Sequence, residues 1–167
     1  NAGLQVVGRT PGIDIDAADA SLRTNLLTPL RLVHAVLPGM LARDSGDIVN
    51  ITSMAALAPT PGMTWYNAGK AGLAAASESL RGELEAFVAA RIEQDSATPE
   101  DEADILSLHY LVAGEHRAAW RYASIAANRA QGAYAFVEAA RIYARALEAA
   151  RRLPDLAHGE LAVVQEA

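Results

Sequence analysis

Apolar residues recur at helical spacing in the first part of the chain. Leu22, Leu26, Leu27, Leu30, Val33, Leu37 and Leu41 fall mostly three or four apart, which predicts an amphipathic helix over residues 17–43 with Asp16 as its N-cap. Pro29 and Pro38 lie inside this run, so the helix is expected to kink or end near one of them. Residues 47–52, Asp-Ile-Val-Asn-Ile-Thr, are β-rich, too short for a helix and bounded by Ser45-Gly46 and Ser53. They read as a buried strand. Pro59, Pro61 and Gly62 make a loop, and from Trp65 a second helix is expected through Leu73, Leu80, Leu84, Phe87, Val88 and Ile92 to about residue 94. Its first half carries Ala68, Gly69, Ala71, Gly72 and Ala74, a small-residue face that permits close approach of a neighbouring helix or a cofactor. Ahead of all this, Gly8, Pro11 and Gly12 mark residues 4–15 as a loop, with at most a short extended piece at 4–7.

Beyond residue 95 the pattern is helical almost throughout. Thr98-Pro99-Glu100-Asp101 is a helix start, with a capping threonine, a proline at the first position and acids in the first turn. One helix is expected to stop at Gly114, a second to run from His116 to a stop at Gly132, and a third from Tyr134 to about Leu153. Tyr110 and Tyr143 stand 33 residues apart, and this segment resembles tetratricopeptide repeats, whose period is about 34 residues. Trp120, Tyr122, Tyr134 and Phe136 are expected to be packing residues.

The composition narrows the classes. The chain has 167 residues, 51% hydrophobic and 20% charged, and a net charge of −6. No basic face points to nucleic acid or an anionic membrane surface, and no apolar run approaches the ~20 residues of a membrane span. Cysteine is absent, and His34, His109, His116 and His158 are scattered without ligand spacing, so no metal site is expected. A cytoplasmic setting is the expectation.

Chemistry gathers between residues 53 and 70. Tyr66 and Lys70 are four apart, one helical turn, where a fixed ammonium favours a neighbouring phenolate and makes the phenol a usable acid and base. Lys70 is the only lysine against thirteen arginines, and a compact ammonium is not interchangeable with a guanidinium fork beside a phenol. Ser53, following the 47–52 run, is placed to donate its hydroxyl to the same substrate oxygen.

These residues lie in a wider pattern: Asn1-Ala2-Gly3 at the start, Asn25 within the first helix, an apolar segment ending in Ser53, and Tyr66-x-x-x-Lys70 thirteen residues after that serine. The pattern resembles the short-chain dehydrogenases/reductases over about residues 1–86. The resemblance implies that Tyr66 is the catalytic acid/base, that Lys70 lowers its pKa and holds the nicotinamide ribose, that Ser53 steadies the substrate oxygen, and that Asn25 supports a water-linked proton relay. Asn1, Ala2, Gly3, Tyr66 and Lys70 would then lie at the cofactor, NAD or NADP. The substrate would be a small carbonyl compound or alcohol, and the helices at 17–43 and 65–94 would form a homodimer contact.

The implied fold class is α/β, a fragment of a Rossmann-type doubly wound fold over residues 1–94, joined to an all-α tetratricopeptide-like segment over 95–167. Gly3, Gly8 and Gly12 do not make the glycine-rich phosphate loop that such a fold places between its first strand and first helix. The chain as given is therefore expected to bind NAD or NADP weakly or not at all. With only 47–52 reading clearly as a strand, the chain is expected to be predominantly helical and the strand remnant exposed or poorly paired, a site for dimerisation or aggregation. Two functions compete. One is an NAD(P)-dependent oxidoreductase interconverting carbonyl and alcohol; the alternative is a helical-repeat module whose 98–167 helices bind a protein partner. A chimeric or truncated chain without activity is a third reading.

Overall fold

A computed structural model describes residues 2–154 and Leu156. They divide into two compact units, residues 1–79 and 80–167. Six α-helices span the described residues: α1 Ile15–Leu22, α2 Thr28–Ala42, α3 Thr64–Asp95, α4 Ala103–Ala113, α5 His116–Gly132 and α6 Phe136–Ala150. Helix α3 runs from the first unit into the second.

The α/β expectation is overturned: the described residues contain no strand and no sheet. Residues 47–52 are not helical, but no ladder partner exists among the described residues. Val49 is 79% exposed and Ile51 55%, so this is not the buried strand that its composition predicts. The short piece at residues 4–7 does not pair with it either. Leu4 gives both its backbone groups to Asn25, whose Nδ2 donates to the Leu4 carbonyl at 2.6 Å and whose Oδ1 accepts from the Leu4 N–H at 3.3 Å. Nearby, the Gly8 N–H donates to the Gly62 carbonyl at 2.8 Å. An extended segment whose polar groups are met by side chains and loops has no call for a ladder.

The first helix is capped two residues earlier than expected. Asp14, not Asp16, accepts the Ala17 N–H at 3.2 Å, and Asp16 sits in the first turn, where its charge suits the helix dipole. Neither proline breaks the run. The backbone instead widens into a π-helical turn at Arg23–Leu27, with the Thr28 N–H reaching back to the Arg23 carbonyl. Pro29 has no N–H for the carbonyl of Asn25 four residues before it, and its ring would crowd that carbonyl. The widened turn one step upstream relieves both problems.

The small-residue face of α3 meets this region. A Cβ added at Gly69 would lie 3.1 Å from the Cβ of Asn25, and one at Gly72 would lie 3.1 Å from Leu26 Cδ2. The glycines thus serve close helix packing. Gly69→Leu is expected to cost the first unit about 1–3 kcal/mol by overpacking, read as a lowered denaturation midpoint. An unchanged midpoint would contradict this contact.

In the second unit, α4, α5 and α6 pack with α3 around Ala89, Leu106, Tyr110, Tyr122, Ile142 and Tyr143, with alanines filling the gaps. The α4–α5 turn ends as predicted on Gly114, at φ 80°. Helix α5 ends at Gly132 as expected, but Gly132 itself keeps helical backbone and does not supply the left-handed residue of the α5–α6 turn. Its left-handed residue is Tyr134, at φ 61°. Both turns close alike, with Glu115 N–H on the Tyr110 carbonyl and Ala135 N–H on the Ala130 carbonyl, each 2.9 Å. Such a closure needs a left-handed residue one place before the donor, and that place falls to Gly114 in one turn and Tyr134 in the other. As a result Tyr134 and Phe136 are exposed rather than packed, meeting edge to face at 6.0 Å.

Glu93 on α3 ties this unit to its tyrosines. Its carboxylate accepts from the Tyr110 hydroxyl at 2.5 Å and from the Tyr122 hydroxyl, and Arg121 lies 3.3 Å away. The two rings stack with centroids 5.8 Å apart. Burial alone would raise the Glu93 pKa, but the two hydroxyls and Arg121 outweigh it and hold the carboxyl below its ordinary 4.5. A carboxyl depressed on folding contributes stability that is present above its unfolded pKa and lost as pH falls through the folded value. The midpoint of urea unfolding is therefore expected to fall as pH drops below about 4.5, and Glu93→Gln to flatten that dependence. The same slope in Glu93→Gln would contradict the assignment.

Candidate active site

Helix α3 presents Tyr66 and Lys70 one turn apart, both in the first unit. Tyr66 is half-buried, whereas Lys70 is 7% exposed, held there by the close packing at Gly69 and by Leu73. The Lys70 Nζ donates to the carbonyl of Ile51 at 2.8 Å. A buried ammonium needs such an acceptor, and two of its three N–H groups remain for other partners.

Ile51 lies two residues before Ser53, so the lysine is fixed to the same short segment that carries the serine. Ser53 caps a 3-10 turn at Met54–Ala56, its Oγ accepting the Ala55 N–H at 3.1 Å. That bond uses a lone pair and leaves the hydroxyl hydrogen free to donate.

Asn25 lies in the π-helical turn and is 1% exposed. Its side chain is fully engaged, by Leu4 on both sides of the amide and by the Ser21 hydroxyl at 3.2 Å. Ser21 in turn donates to the Leu4 carbonyl at 2.9 Å. Four residues on, Pro29 has no N–H for the Asn25 backbone carbonyl.

A cleft of about 530 Å³ joins part of this set. Ala2, Asn25, Ile51 and Lys70 line it together with the apolar Leu32, Val33, Val36 and Val49. Ser53 lines an adjoining hollow that shares Asn50 and Ile51 with the cleft. Tyr66 lines neither of these two, standing one turn before Lys70. Ala2 and Gly3 are exposed, and a Cβ at Gly3 would lie 3.6 Å from Asn25 Oδ1. Asn1, also expected at the cofactor, lies outside the described residues, as does His158. No group of histidines and carboxylates able to hold a metal ion occurs among the described residues, and none of their helices is long and apolar enough to cross a membrane.

Residues 50 and 77 escaped the motif reading. Asn50 Nδ2 donates to Ser77 Oγ at 2.9 Å, tying the serine-bearing segment to α3 a second time. The available signal was spacing: Ser77 stands seven residues after Lys70, two turns along the same face.

The family model of the short chain dehydrogenases matches residues 1–92. Among curated relatives, a ketoacyl reductase, HetN, of Nostoc sp. is 36% identical over 84 residues, covering 50% of this chain and 29% of that protein. Retinol dehydrogenase 8 of Homo sapiens is 39% identical over 87 residues, 52% of this chain and 28% of its own length. A very-long-chain 3-oxoacyl-CoA reductase of Anas platyrhynchos is 42% identical over 59 residues, 35% of this chain and 19% of that protein. The matched part of the chain thus spans about a third or less of the curated relatives' length. No solved structure matches the chain. With the family pattern matched across more than half of its residues, the chain belongs to the short-chain dehydrogenase family.

Proposed function

We propose that these residues are the proton-handling part of an NAD(P)-dependent oxidoreductase that interconverts a carbonyl and an alcohol. The observation that carries this reading is Lys70, the chain's single lysine, buried one turn after Tyr66 and bonded to the carbonyl two residues before Ser53. A lysine placed only for solubility would not be buried against a backbone acceptor.

In the reducing direction the Tyr66 phenol gives its proton to the carbonyl oxygen, and the Ser53 hydroxyl donates a hydrogen bond to that oxygen as charge develops on it. Lys70 stands one helical turn from Tyr66. The Asn25 carbonyl offers an acceptor for a water through which Tyr66 regains its proton. A nicotinamide cofactor, when bound, would supply the hydride. The described residues suit the ribose end of such a nucleotide: Lys70 has two N–H groups left for hydroxyls, and Gly3 has no side chain to obstruct approach near Asn25. The reading is tested by incubating the protein carrying this chain with NADH or NADPH and a panel of ketones and aldehydes. Loss of the reduced-cofactor absorbance with formation of the alcohol is expected, and no consumption of either cofactor with any carbonyl would overturn it.

We propose as the second reading that the 98–167 helices, within the tetratricopeptide-like segment 95–167, bind a protein partner. Tyr134 on the α5–α6 turn and Val137 in the first turn of α6, 81% and 89% exposed, favour it, because packing within the unit does not account for them.

A further inference from the structure

We infer that Asn50 and Ser77 form a latch that positions the Lys70 ammonium. The Asn50 amide donates to Ser77 Oγ at 2.9 Å, the Ser77 hydroxyl passes its own hydrogen to the Leu73 carbonyl at 2.7 Å, and the carbonyl of the next residue, Ile51, receives Lys70 Nζ at 2.8 Å. Two successive residues of one segment are thereby held by two side chains on a single face of α3.

Among the described residues no strand pairs with this segment. In a ladder the register of residues 47–52 would be fixed by backbone pairing; here side chains alone decide which residue faces the helix. A slip of one residue would carry the Ile51 carbonyl away from a buried ammonium and displace Ser53 with it. The polarity of the latch is also fixed. Ser77 has one hydrogen, spent on Leu73, so it must accept from Asn50, whose amide nitrogen is the donor. Asn50 and Ser77 are positioning residues, acting through the Ile51 carbonyl.

The inference rests on reading Lys70 as part of the proton-handling group, but its test does not depend on turnover. Because Lys70 is the only lysine, acylation by an amine-reactive ester, resolved from the terminal amine by peptide mass spectrometry, reports on that one side chain. Asn50→Ala and Ser77→Ala are each expected to raise the Lys70 acylation rate about tenfold, the weight of one net hydrogen bond. The double variant should exceed neither, since the two residues make one contact. Ser77→Thr keeps the hydroxyl and should keep the parent rate. Asn50→Leu, which fills the volume without a donor, should match Asn50→Ala and guards against an effect of a cavity. Thr10→Ala, which removes the 2.9 Å contact with Thr64 elsewhere in the same unit, should leave the rate unchanged. Parent rates in Asn50→Ala, Asn50→Leu and Ser77→Ala would overturn the latch, as would a multiplicative double variant or an equal rise in Thr10→Ala. A protein without dehydrogenase turnover would sink the proposed function and leave these rates standing as the test of the latch.

Discussion

Replacing Tyr66 with phenylalanine is expected to lower carbonyl turnover by the protein carrying this chain at least ~100-fold, the usual weight of a positioned acid or base. The substitution removes one oxygen and keeps the ring, so the half-buried side chain retains its packing against the rest of α3. Lys70 would keep its bond to Ile51, and Ser53 its bond to Ala55, since neither involves the phenol. The loss should therefore fall on kcat, with KM for the carbonyl nearly unchanged, because an interaction made only in the transition state has gone. Turnover within a few-fold of the parent would show that another group delivers the proton.

The largest effect on stability is expected in the second unit, at Arg145. This side chain on α6 is 7% exposed and donates to the Asp104 carbonyl and carboxylate, both at 2.8 Å, and to Ser107 Oγ. It ties α6 to α4 together with Arg141, whose guanidinium lies 3.4 Å from the Asp104 carboxylate. Arg145→Met keeps much of the apolar stem and removes the guanidinium, so the loss reports on those bonds rather than on packing. Asp104 is 46% exposed and can rehydrate, whereas Ser107 is fully buried and keeps only its bond to the Asp104 carbonyl. The net cost is expected at about 2–3 kcal/mol, below that of breaking a fully buried pair. For a unit of this size that lowers the midpoint of thermal unfolding by roughly 10–20 °C. A shift of a degree or two would mean that the stem carries the contact.

Most of the helical framework was legible because it rests on local rules. The stripe from Leu22 to Leu41, the run through α3 and the stop at Gly114 each follow from spacing or from one residue's backbone freedom. Errors came where a distant partner decided the outcome. Residues 47–52 have the composition of a buried strand, but strand formation needs a neighbour, and the candidate at 4–7 is claimed by the amide of Asn25. Pro29 predicts a disturbance of the helix, and the helix carries one as a widened turn just upstream, where Asn25 and Ser21 also bind Leu4. Helix α5 does end at Gly132, where glycine marks the stop, but the closure of the turn assigns the left-handed conformation by position, to Tyr134.

The site was legible as a set of residue types and only partly as a place. Spacing alone gave Tyr66 and Lys70 one face of a helix, and Ser53 the end of an extended segment. That Lys70 is held by the Ile51 carbonyl could not be read from side-chain chemistry, since every residue carries a carbonyl. Nor could the use of the Asn25 amide to bind Leu4.

The most direct measurement follows an isotope. With a nicotinamide cofactor deuterated at its transferable position and a ketone substrate, mass spectrometry of the alcohol reports whether hydride transfer occurs and whether it depends on Tyr66. One deuterium on the carbinol carbon is expected with the parent protein, and label transfer slower by at least ~100-fold in Tyr66→Phe. Absence of deuterium from the alcohol, or equal transfer by both proteins, would contradict the assignment of Tyr66, Lys70 and Ser53 to carbonyl reduction.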